Sequence, residues 1–275
     1  MGSIQEQHST DQQALLDAQL ELWHNTFAFI KSMALKSAMQ LRIADAIHHH
    51  GGTATITQIA TKVQLQPSKI PCMSRLMRVL TVTGIFSIAK HPSAEDADSV
   101  YGLTPVSLLL VGSMSLAPTL SLFLNNTFVS PFLSLGTWFE NEQPDLTLFE
   151  MAHRKTVQLF NAGMVADSRF LMDIAIKECG HVFQGISSLI DVGGGHGAAA
   201  QAISKAFPRI KCSVLDLAHV VASAPASTEV SYIAGDMFET IPPVNAVFLK
   251  VCGRAFYFVI TNECMPSFFV CAGSD

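Results

Sequence analysis

Apolar residues recur at intervals of three or four in the first part of the chain. The resulting stripe consists of Leu16, Leu20, Trp23, Phe27 and Ile30. This spacing predicts one face of a long amphipathic helix, preceded by polar residues 1–13 that we expect to fray. Such a face can pack within one subunit, but its Trp and Phe favour contact with a second subunit. The helical pattern continues through residues 34–47.

Two shorter helices are predicted next. Thr55 and Gln58 have the spacing of a capping box, which indicates a helix that begins there and ends near Val63. After Pro67 a second apolar stripe predicts another helix. Gly84 is the kind of residue that commonly ends a helix, because glycine adopts left-handed backbone angles without strain.

Two β-prone segments follow these helices. Residues 85–89 and 100–103 flank a polar, acidic tip at 93–99, so the N-terminal region has the pattern of a winged helix. Winged helices can bind DNA, but the helix that would enter the groove has few basic residues: Lys69, Arg75 and Arg78. We therefore favour a role in dimerisation or as a substrate lid over DNA binding.

The pattern changes again in the second half of the chain. Residues 106–180 predict helices interrupted by prolines. From residue 187 onward, short apolar strands alternate with helices: strands at 187–192, 211–215, 230–234 and 245–250, and helices at 198–207 and 218–224. Strands separated by helices predict a parallel, doubly wound sheet.

Four glycines fall within five residues directly after the first of these strands: Gly193, Gly194, Gly195 and Gly197. A backbone that turns sharply and approaches a ligand closely needs residues without a Cβ. The N-terminus of the next helix also leaves N–H groups free for polar or anionic ligand atoms. The segment predicts a nucleotide-like cofactor.

Two cofactor classes are compatible with this turn. Its G-x-G-x-x-A spacing, with Asp216 after the second strand, is also typical of NAD-dependent oxidoreductases. Asp191 before the first glycine, and Asp236 and Met237 after the third strand, favour S-adenosylmethionine instead. A carboxylate can accept a hydrogen bond from the adenine amino group, and a flexible thioether suits the edge of the ring.

Composition narrows the classes of function. The 275 residues are 49% hydrophobic and 14% charged, with a net charge of −5, which disfavours a disordered or nucleic-acid-binding protein. Six cysteines without paired spacing, and no signal peptide, indicate reduced thiols in a cytoplasmic protein. The adjacent histidines 48–50 point in different directions at a helix end, so we predict no metal site. No apolar run suits a membrane span.

Three segments in order, LIDVGGGHG, VLDLAHVV and YIAGDMFETIPPVNAVFLK, resemble the plant small-molecule O-methyltransferases that act on phenylpropanoids and flavonoids. ALKSAMQLRIADAI and KIPCMSRLMRVLTVTGIF resemble the dimerising winged helix of that family. The resemblance covers nearly all of residues 15–250. It implies S-adenosyl-L-methionine as cofactor, a phenolic small molecule as substrate, and a homodimer or a heterodimer with a full-length homologue, without nucleic acid or membrane partners.

The resemblance also implies roles for single residues. Five match cofactor positions: Gly193 at the turn, Asp216 for the ribose hydroxyls, Asp236 and Met237 for the adenine, and Lys250 at the closing edge. Phe160 and Met164 match positions that line cofactor and substrate, and Ser168 is a weaker match. Without the resemblance, Lys250 would be a solvated lysine and the 160–168 stripe ordinary core.

The resemblance stops after Lys250. Arg254 stands in the place of the family's histidine base, and a guanidinium has no lone pair with which to accept a proton. We therefore predict no catalytic residue. Residues 251–275 do not resemble the family, and we interpret the chain as C-terminally truncated with an unrelated tail. The apolar segment 256–260 is a predicted aggregation site unless it adds a fifth strand.

Together these patterns predict an α/β chain of two domains. Residues 1–115 would form an all-α, winged-helix dimerisation domain, and 116–275 an incomplete O-methyltransferase domain with a truncated, Rossmann-like sheet. The expected function is methyl transfer to a phenolic hydroxyl, slowed because a positioned base typically contributes roughly 10²–10⁴-fold. The alternatives are an inactive dimer partner of a full-length O-methyltransferase and an NAD-dependent oxidoreductase.

Overall fold

The computed structural model describes residues 2–90, 99–140, 147–226, 229–250, 257–260 and 267–270. The chain divides into two compact units, Met1–Ser113 and Met114–Asp275. Each unit buries apolar side chains of its own. Among the described helices, none combines the length and the apolar character that crossing a bilayer requires.

The first unit is mostly helical. Its elements are α1 (Gly2–Gln40), α2 (Ile43–His49), β1 (Thr53–Thr55), α3 (Ile56–Lys62), a 3-10 turn (Pro67–Lys69), α4 (Ile70–Val82), β2 (Phe86–Lys90), β3 (Val100–Leu103) and α5 (Pro105–Leu108). The prediction that residues 1–13 fray was wrong for the backbone from Gly2 onward. No glycine or proline interrupts residues 3–40, so nothing in the sequence ends the helix early.

The helical pattern predicted through residues 34–47 is interrupted once, which that prediction missed. Arg42 adopts a left-handed backbone conformation with φ of 55°, and this ends α1 and turns the chain into α2. Its guanidinium forms an ion pair with Asp45, at 3.1 Å, in the first turn of the new helix. Arg42 does not alter the spacing of the apolar residues, so the periodicity does not reveal this break between α1 and α2.

The predicted capping box is confirmed at the start of α3. The Thr55 hydroxyl accepts a hydrogen bond from the Gln58 N–H, and the Gln58 side chain accepts one from the Thr55 N–H. The predicted two-stranded wing was one strand short, because β1 pairs with β3 and gives the order β1-β3-β2. β1 has three residues, too few to show a strand pattern. Most of the predicted tip, 93–98, lies outside the described residues.

The second unit carries helices before and between its strands. Its elements are α6 (Ala117–Phe123), α7 (Asn126–Leu133), α8 (Leu135–Glu140), α9 (Leu148–Arg154), α10 (Val157–Cys179), a 3-10 turn (Gly180–Phe183), β4 (Ser188–Val192), α11 (Ala198–Ala206), β5 (Lys211–Asp216), α12 (Ala218–Val221), β6 (Ser231–Ala234), β7 (Ala246–Leu249), β8 (Tyr257–Ile260) and β9 (Ser267–Val270).

Strands β4 to β7 form one parallel sheet in the order β6-β5-β4-β7, which confirms the predicted Rossmann-like topology. The first strand of the sheet is central. The chain adds β5 and β6 on one side of it and then crosses to place β7 on the other. Ligands of such sheets bind at the carboxyl ends of the strands where this reversal occurs. In this sheet the reversal lies between β4 and β7.

The two C-terminal strands are not part of this sheet. β8 pairs antiparallel with β9, and β4 is the hydrogen-bonded neighbour of β7 among the strands that the structure describes. The alternative of a fifth strand in this sheet is therefore wrong for β8 (Tyr257–Ile260). Phe256 lies outside the described residues, and the predicted tendency of this segment to aggregate stays a prediction.

Helix α10 is fixed against the rest of the unit at two points along its length. Near its start, the Thr119 hydroxyl of α6 donates to the Gly163 carbonyl at 2.7 Å, and a Cβ at Gly163 would lie 3.2 Å from Leu122. Farther along, Met172 is buried in one core with Ile203 of α11 and residues of the sheet. These contacts hold α10 in a defined position next to the site described below.

Candidate functional site

The glycine-rich turn follows β4 and has the conformation that its glycines predict. Gly193, Gly195 and Gly197 all have positive φ, between 57° and 73°. The Gly193 N–H donates to the Leu215 carbonyl at 2.8 Å, which carries the β4–β5 pairing into the turn. An ideal Cβ on Gly194 would lie 2.5 Å from the Asp191 carboxyl carbon, so this residue needs to be glycine for steric reasons.

Asp191 is a buried acid beneath this turn. It is 2% exposed, and its Oδ2 atom has no hydrogen-bond partner among the described residues. Burial raises the pKa of Asp191 to about 7, against the opposing effects of the Ala200 N–H and the positive charge of Lys250. A ligand can approach the backbone of the glycine turn closely, and Asp191 Oδ2 beneath it is an acceptor without a partner among the described residues. This arrangement suits a polar ligand.

The raised pKa of Asp191 predicts how stability changes with pH. The carboxyl binds its proton more tightly in the folded chain, at a pKa of about 7, than at its ordinary value of 3.8. Its contribution to stability is therefore complete below about pH 4 and is lost as the pH rises through 7. From pH 5 to 7 we expect wild type to lose about 2 kcal/mol relative to Asp191→Asn in urea unfolding. Identical pH dependence of the two proteins would contradict this.

Asp216 ends β5 and faces the glycine turn. Its Oδ2 accepts a hydrogen bond from the Gly195 N–H and its Oδ1 accepts one from the Leu217 N–H, each at 2.8 Å. The carboxylate is thus oriented by two backbone groups. Each oxygen keeps a lone pair, so the same carboxylate can also accept from a pair of ligand hydroxyls.

Asp236 and Met237 follow β6, the strand next to β5. The Gly235 N–H donates to the Asp216 carbonyl at 3.0 Å, so the two strand ends stay adjacent beyond the sheet. Asp236 Oδ1 accepts from the Phe238 N–H at 2.9 Å, while the Met237 and Phe238 side chains are exposed. The structure therefore brings the predicted ribose and adenine residues to neighbouring strand ends.

Lys250 follows β7 on the other side of the glycine turn. Its ammonium lies 2.5 Å from Asp167 Oδ2 and donates to the Ser168 hydroxyl at 2.9 Å. The Lys250 side chain is only 9% exposed. The alternative of a solvated strand-end lysine is therefore wrong, since both partners come from α10 and enclose the charge.

The predicted wall residues lie on the same helix. Phe160 and Met164 are half-buried and pack against a cluster formed by α6, α7 and α9. The Phe160 ring also meets the edge of the His153 ring, with centroids 4.5 Å apart. Burial, and to a lesser degree His219, lower the pKa of His153, so its imidazole is neutral at pH 7.

A hydrogen-bond network joins α10 to the glycine turn. The His196 Nε2 atom lies 3.2 Å from both Asn161 Nδ2 and Ser223 Oγ. The His196 carbonyl accepts from the Tyr232 hydroxyl at 2.9 Å and from the Gln201 side chain at 3.0 Å. Two elements that are distant in sequence are thus held against the turn.

Sequence reasoning missed part of this arrangement. Asp167 was not singled out, although it precedes Ser168 on the α10 stripe and carries the charge that pairs with Lys250. Asn161 and Tyr232 were also missed, and their spacing gives no signal, because hydroxyl and amide contacts follow from the tertiary fold. Arg254, which the resemblance predicts to stand in the place of a histidine base, lies outside the described residues.

Comparison with family models gives two matches. The model of the O-methyltransferase domain matches residues 138–253. The model of the O-methyltransferase dimerisation domain matches residues 23–113.

Individual proteins show the same similarity. The chain is 57% identical over 260 residues to O-methyltransferase ZRP4 of Zea mays, which covers 88% of this chain and 71% of that protein. It is 41% identical over 254 residues to isoflavone 4'-O-methyltransferase of Lotus japonicus, covering 86% and 69%. Its fold is similar to that of CalO1, a methyltransferase in calicheamicin biosynthesis, in the SAH bound form, with a TM-score of 0.66 at 19% identity over 85% and 70% of the two chains.

Proposed function

Because this chain belongs to the O-methyltransferase family, we propose that it binds S-adenosylmethionine (SAM) at the carboxyl ends of β4 to β7 and transfers its methyl group to a phenolic hydroxyl. The observation that carries the proposal is the placement of Asp216 against the glycine turn, with Asp236 at the adjacent strand end. A carboxylate beside a turn without side chains is suited to a nucleoside ribose.

The residues present fit this cofactor. Gly193 would lie against it at the turn, Asp216 would accept from the ribose hydroxyls, and Asp236 with Met237 would hold the adenine. Lys250 would close the site from the β7 side. When bound, the cofactor would supply a methyl group on a sulfonium sulfur, which leaves as a neutral thioether when the methyl is transferred. Phe160 and Met164, with Ser168 next to them on α10, would exclude water from the acceptor side.

Methylation of a phenol requires removal of its proton. A phenol with a pKa near 10 is ionised to about one part in a thousand at pH 7, so an O-methyltransferase gains from a base. The Arg254 guanidinium cannot accept the proton. We infer cofactor binding with turnover that is roughly 10²–10⁴-fold below that of an enzyme with a positioned base.

Transfer of labelled methyl from SAM to a panel of simple phenols tests this function. We expect slow transfer that rises with pH, because ionisation of the phenol replaces the missing base. Variant Asp216→Ala should remove the signal, since it removes the ribose acceptor. Rapid transfer that does not depend on pH would contradict the inferred lack of a base.

A second candidate is an inactive dimer partner of a full-length O-methyltransferase, and the surface of α1 favours it. The apolar stripe of α1 leaves Trp23 and Phe27 about half exposed, with Leu16, Leu20 and Ile30 also in contact with solvent. A face of this kind on a dimerisation region indicates a second subunit, either another copy or a full-length homologue. Co-purification with such a homologue, together with absent transfer by the chain alone, would support this candidate.

The stripe gives a prediction about assembly. Replacing Trp23 and Phe27 together by alanine should convert a dimer at micromolar concentration to a monomer, since buried aromatic residues at interfaces often contribute about 2 kcal/mol or more each. Sedimentation velocity measures the change. The matched control Asn25→Ala alters an exposed polar residue on the opposite face of the same helix and should leave the dimer intact. A dimer that survives the double substitution would rule out this face as the interface.

The remaining assignments follow from the same proposal. Residues 1–115 would serve dimerisation and 116–275 would carry the cofactor site, in a cytoplasmic protein. An NAD-dependent oxidoreductase is the alternative for the glycine turn, and binding of NAD without binding of SAM would favour it. The buried Asp191 and the Asp236–Met237 pair support SAM instead.

A further inference from the structure

The ion pair between Lys250 and Asp167 is the most enclosed charge pair that the structure describes near the glycine turn. The Lys250 side chain is 9% exposed and that of Asp167 is 28% exposed. Exposed ion pairs contribute little, but breaking an enclosed pair leaves an uncompensated charge that is costly to bury. The Ser168 hydroxyl accepts a further hydrogen bond from the same ammonium. The Lys250 ammonium therefore needs the Asp167 carboxylate as its partner in this enclosed position.

The pair lies between β4 and β7, where the order in which the strands are added to the sheet reverses. Val192 on β4 is in register with Leu249 on β7, so Gly193 and Lys250 are the next residues along two adjacent strands. Asp167 approaches from α10, and Asn161, six residues earlier on that helix, contacts His196 in the turn. Six residues of helix span about 9 Å. α10 therefore contacts the turn through Asn161 and the end of β7 through Asp167, one on each side of Met164.

The charge at this point matters for the proposed ligand. SAM carries a positive sulfonium, whereas its product S-adenosylhomocysteine (SAH) carries a neutral thioether. An unpaired ammonium in the same site would disfavour the sulfonium, because like charges repel more strongly in a partly buried site than in water. Asp167 supplies the opposite charge and fixes the ammonium through a direct contact.

We propose that Asp167 is a positioning residue that holds and neutralises Lys250, and that this ion pair sets the preference of the site for the sulfonium cofactor over the thioether product. The proposal rests on the proposed function, because it takes SAM as the ligand. It assigns to Asp167 a role in charge balance that acts through Lys250. The half-buried stripe of Phe160 and Met164 on the same helix supplies no charge that could replace it.

Calorimetry with SAM and with SAH, at pH 7.5 on the full chain, tests this role. In variant Asp167→Asn the uncompensated ammonium should weaken SAM on the order of tenfold more than SAH. The matched control is Asp173→Asn on the same helix, which breaks the exposed pair with Lys177 and should leave the ratio of the two affinities unchanged. A merely structural role of Asp167 would weaken both ligands equally.

A second variant is expected to change the ratio of the SAM and SAH affinities in the opposite direction. Lys250→Met leaves the negative charge of Asp167 at the site, and the affinity ratio should shift toward SAM. Asp167→Glu keeps the charge and should retain most of the wild-type ratio. If Asp167→Asn fails to fold, these two variants decide the question, and a ratio that Lys250→Met leaves unchanged overturns the charge-balance role. Wild type that binds neither ligand overturns the proposed function itself, which is a distinct result.

Discussion

Replacing Gly194 by alanine is expected to destabilise the second unit by about 3 kcal/mol, as overpacking of a dense site does. The added Cβ would lie 2.5 Å from both the carboxyl carbon and Oδ2 of Asp191, and this carboxyl group is buried. Relief would require a shift of β4 or of the turn, either of which also alters the backbone that the cofactor would contact. Urea unfolding without ligand measures the loss.

The neighbouring glycine supplies the control. Gly193 has a φ of 69° and nothing within 4 Å of an ideal Cβ, so Gly193→Ala meets backbone strain but no collision. Left-handed strain at one residue costs about 1–2 kcal/mol. The account requires Gly194→Ala to be more destabilising than Gly193→Ala, although both remove one glycine from the same turn. The reverse order would show that Asp191 does not lie beneath the turn as described.

Replacing Asp216 by alanine is expected to weaken the binding of SAH about 100-fold. The variant removes the carboxylate that would accept from the ribose hydroxyls, and hydrogen bonds to charged groups contribute about 1.5–3 kcal/mol each. It also removes the acceptor of the Gly195 N–H, which orients the turn. Both losses act at the same ligand, and isothermal calorimetry measures their sum.

Two measurements separate these contributions. Urea unfolding of Asp216→Ala without ligand reports the structural part, which should be about 1 kcal/mol for loss of a partly exposed backbone contact. Glu239→Gln removes an exposed acid that follows the adjacent strand and should leave the affinity for SAH unchanged. Equal weakening by the two variants would indicate a general effect of negative charge rather than a specific contact of Asp216.

The features that could be predicted from the sequence are those determined by residues close together along the chain. The alternation of apolar segments placed all four parallel strands within one or two residues, and the capping box at Thr55 formed as its spacing requires. The glycine turn was also predictable, because positive φ at Gly193 leaves few alternatives to glycine. In each case neighbours in the sequence determine the conformation.

The features that the sequence left open depend on distant contacts. β1 has three residues and exists through its pairing with β3, and the left-handed turn at Arg42 occurs at a residue type that the sequence pattern does not mark as a break. Lys250 and Ser168 are 82 residues apart, so periodicity placed Ser168 on a helix face but could not show what would reach it. The burial of Lys250 follows from the assembled sheet and α10.

Asp191 can be singled out from its position before the glycines, but its enclosure cannot be predicted from the sequence. Asp191 before the glycines favoured SAM over a dinucleotide on the basis of sequence. The structure adds that the carboxyl group is enclosed beneath Gly194, with a raised pKa and an unsatisfied oxygen among the described residues. The free energy of unfolding therefore depends on whether Asp191 is protonated, and it changes with pH near neutrality.

Calorimetry of the purified chain with SAH, with NAD as the comparison ligand, tests whether the strand ends of β4 to β7 form the SAM site. We expect micromolar binding of SAH at one site per chain, no binding of NAD, and loss of the SAH signal in Asp216→Ala. Binding of NAD without SAH, or SAH binding that Asp216→Ala leaves intact, would contradict the assignment of the strand ends of β4 to β7 as the SAM site.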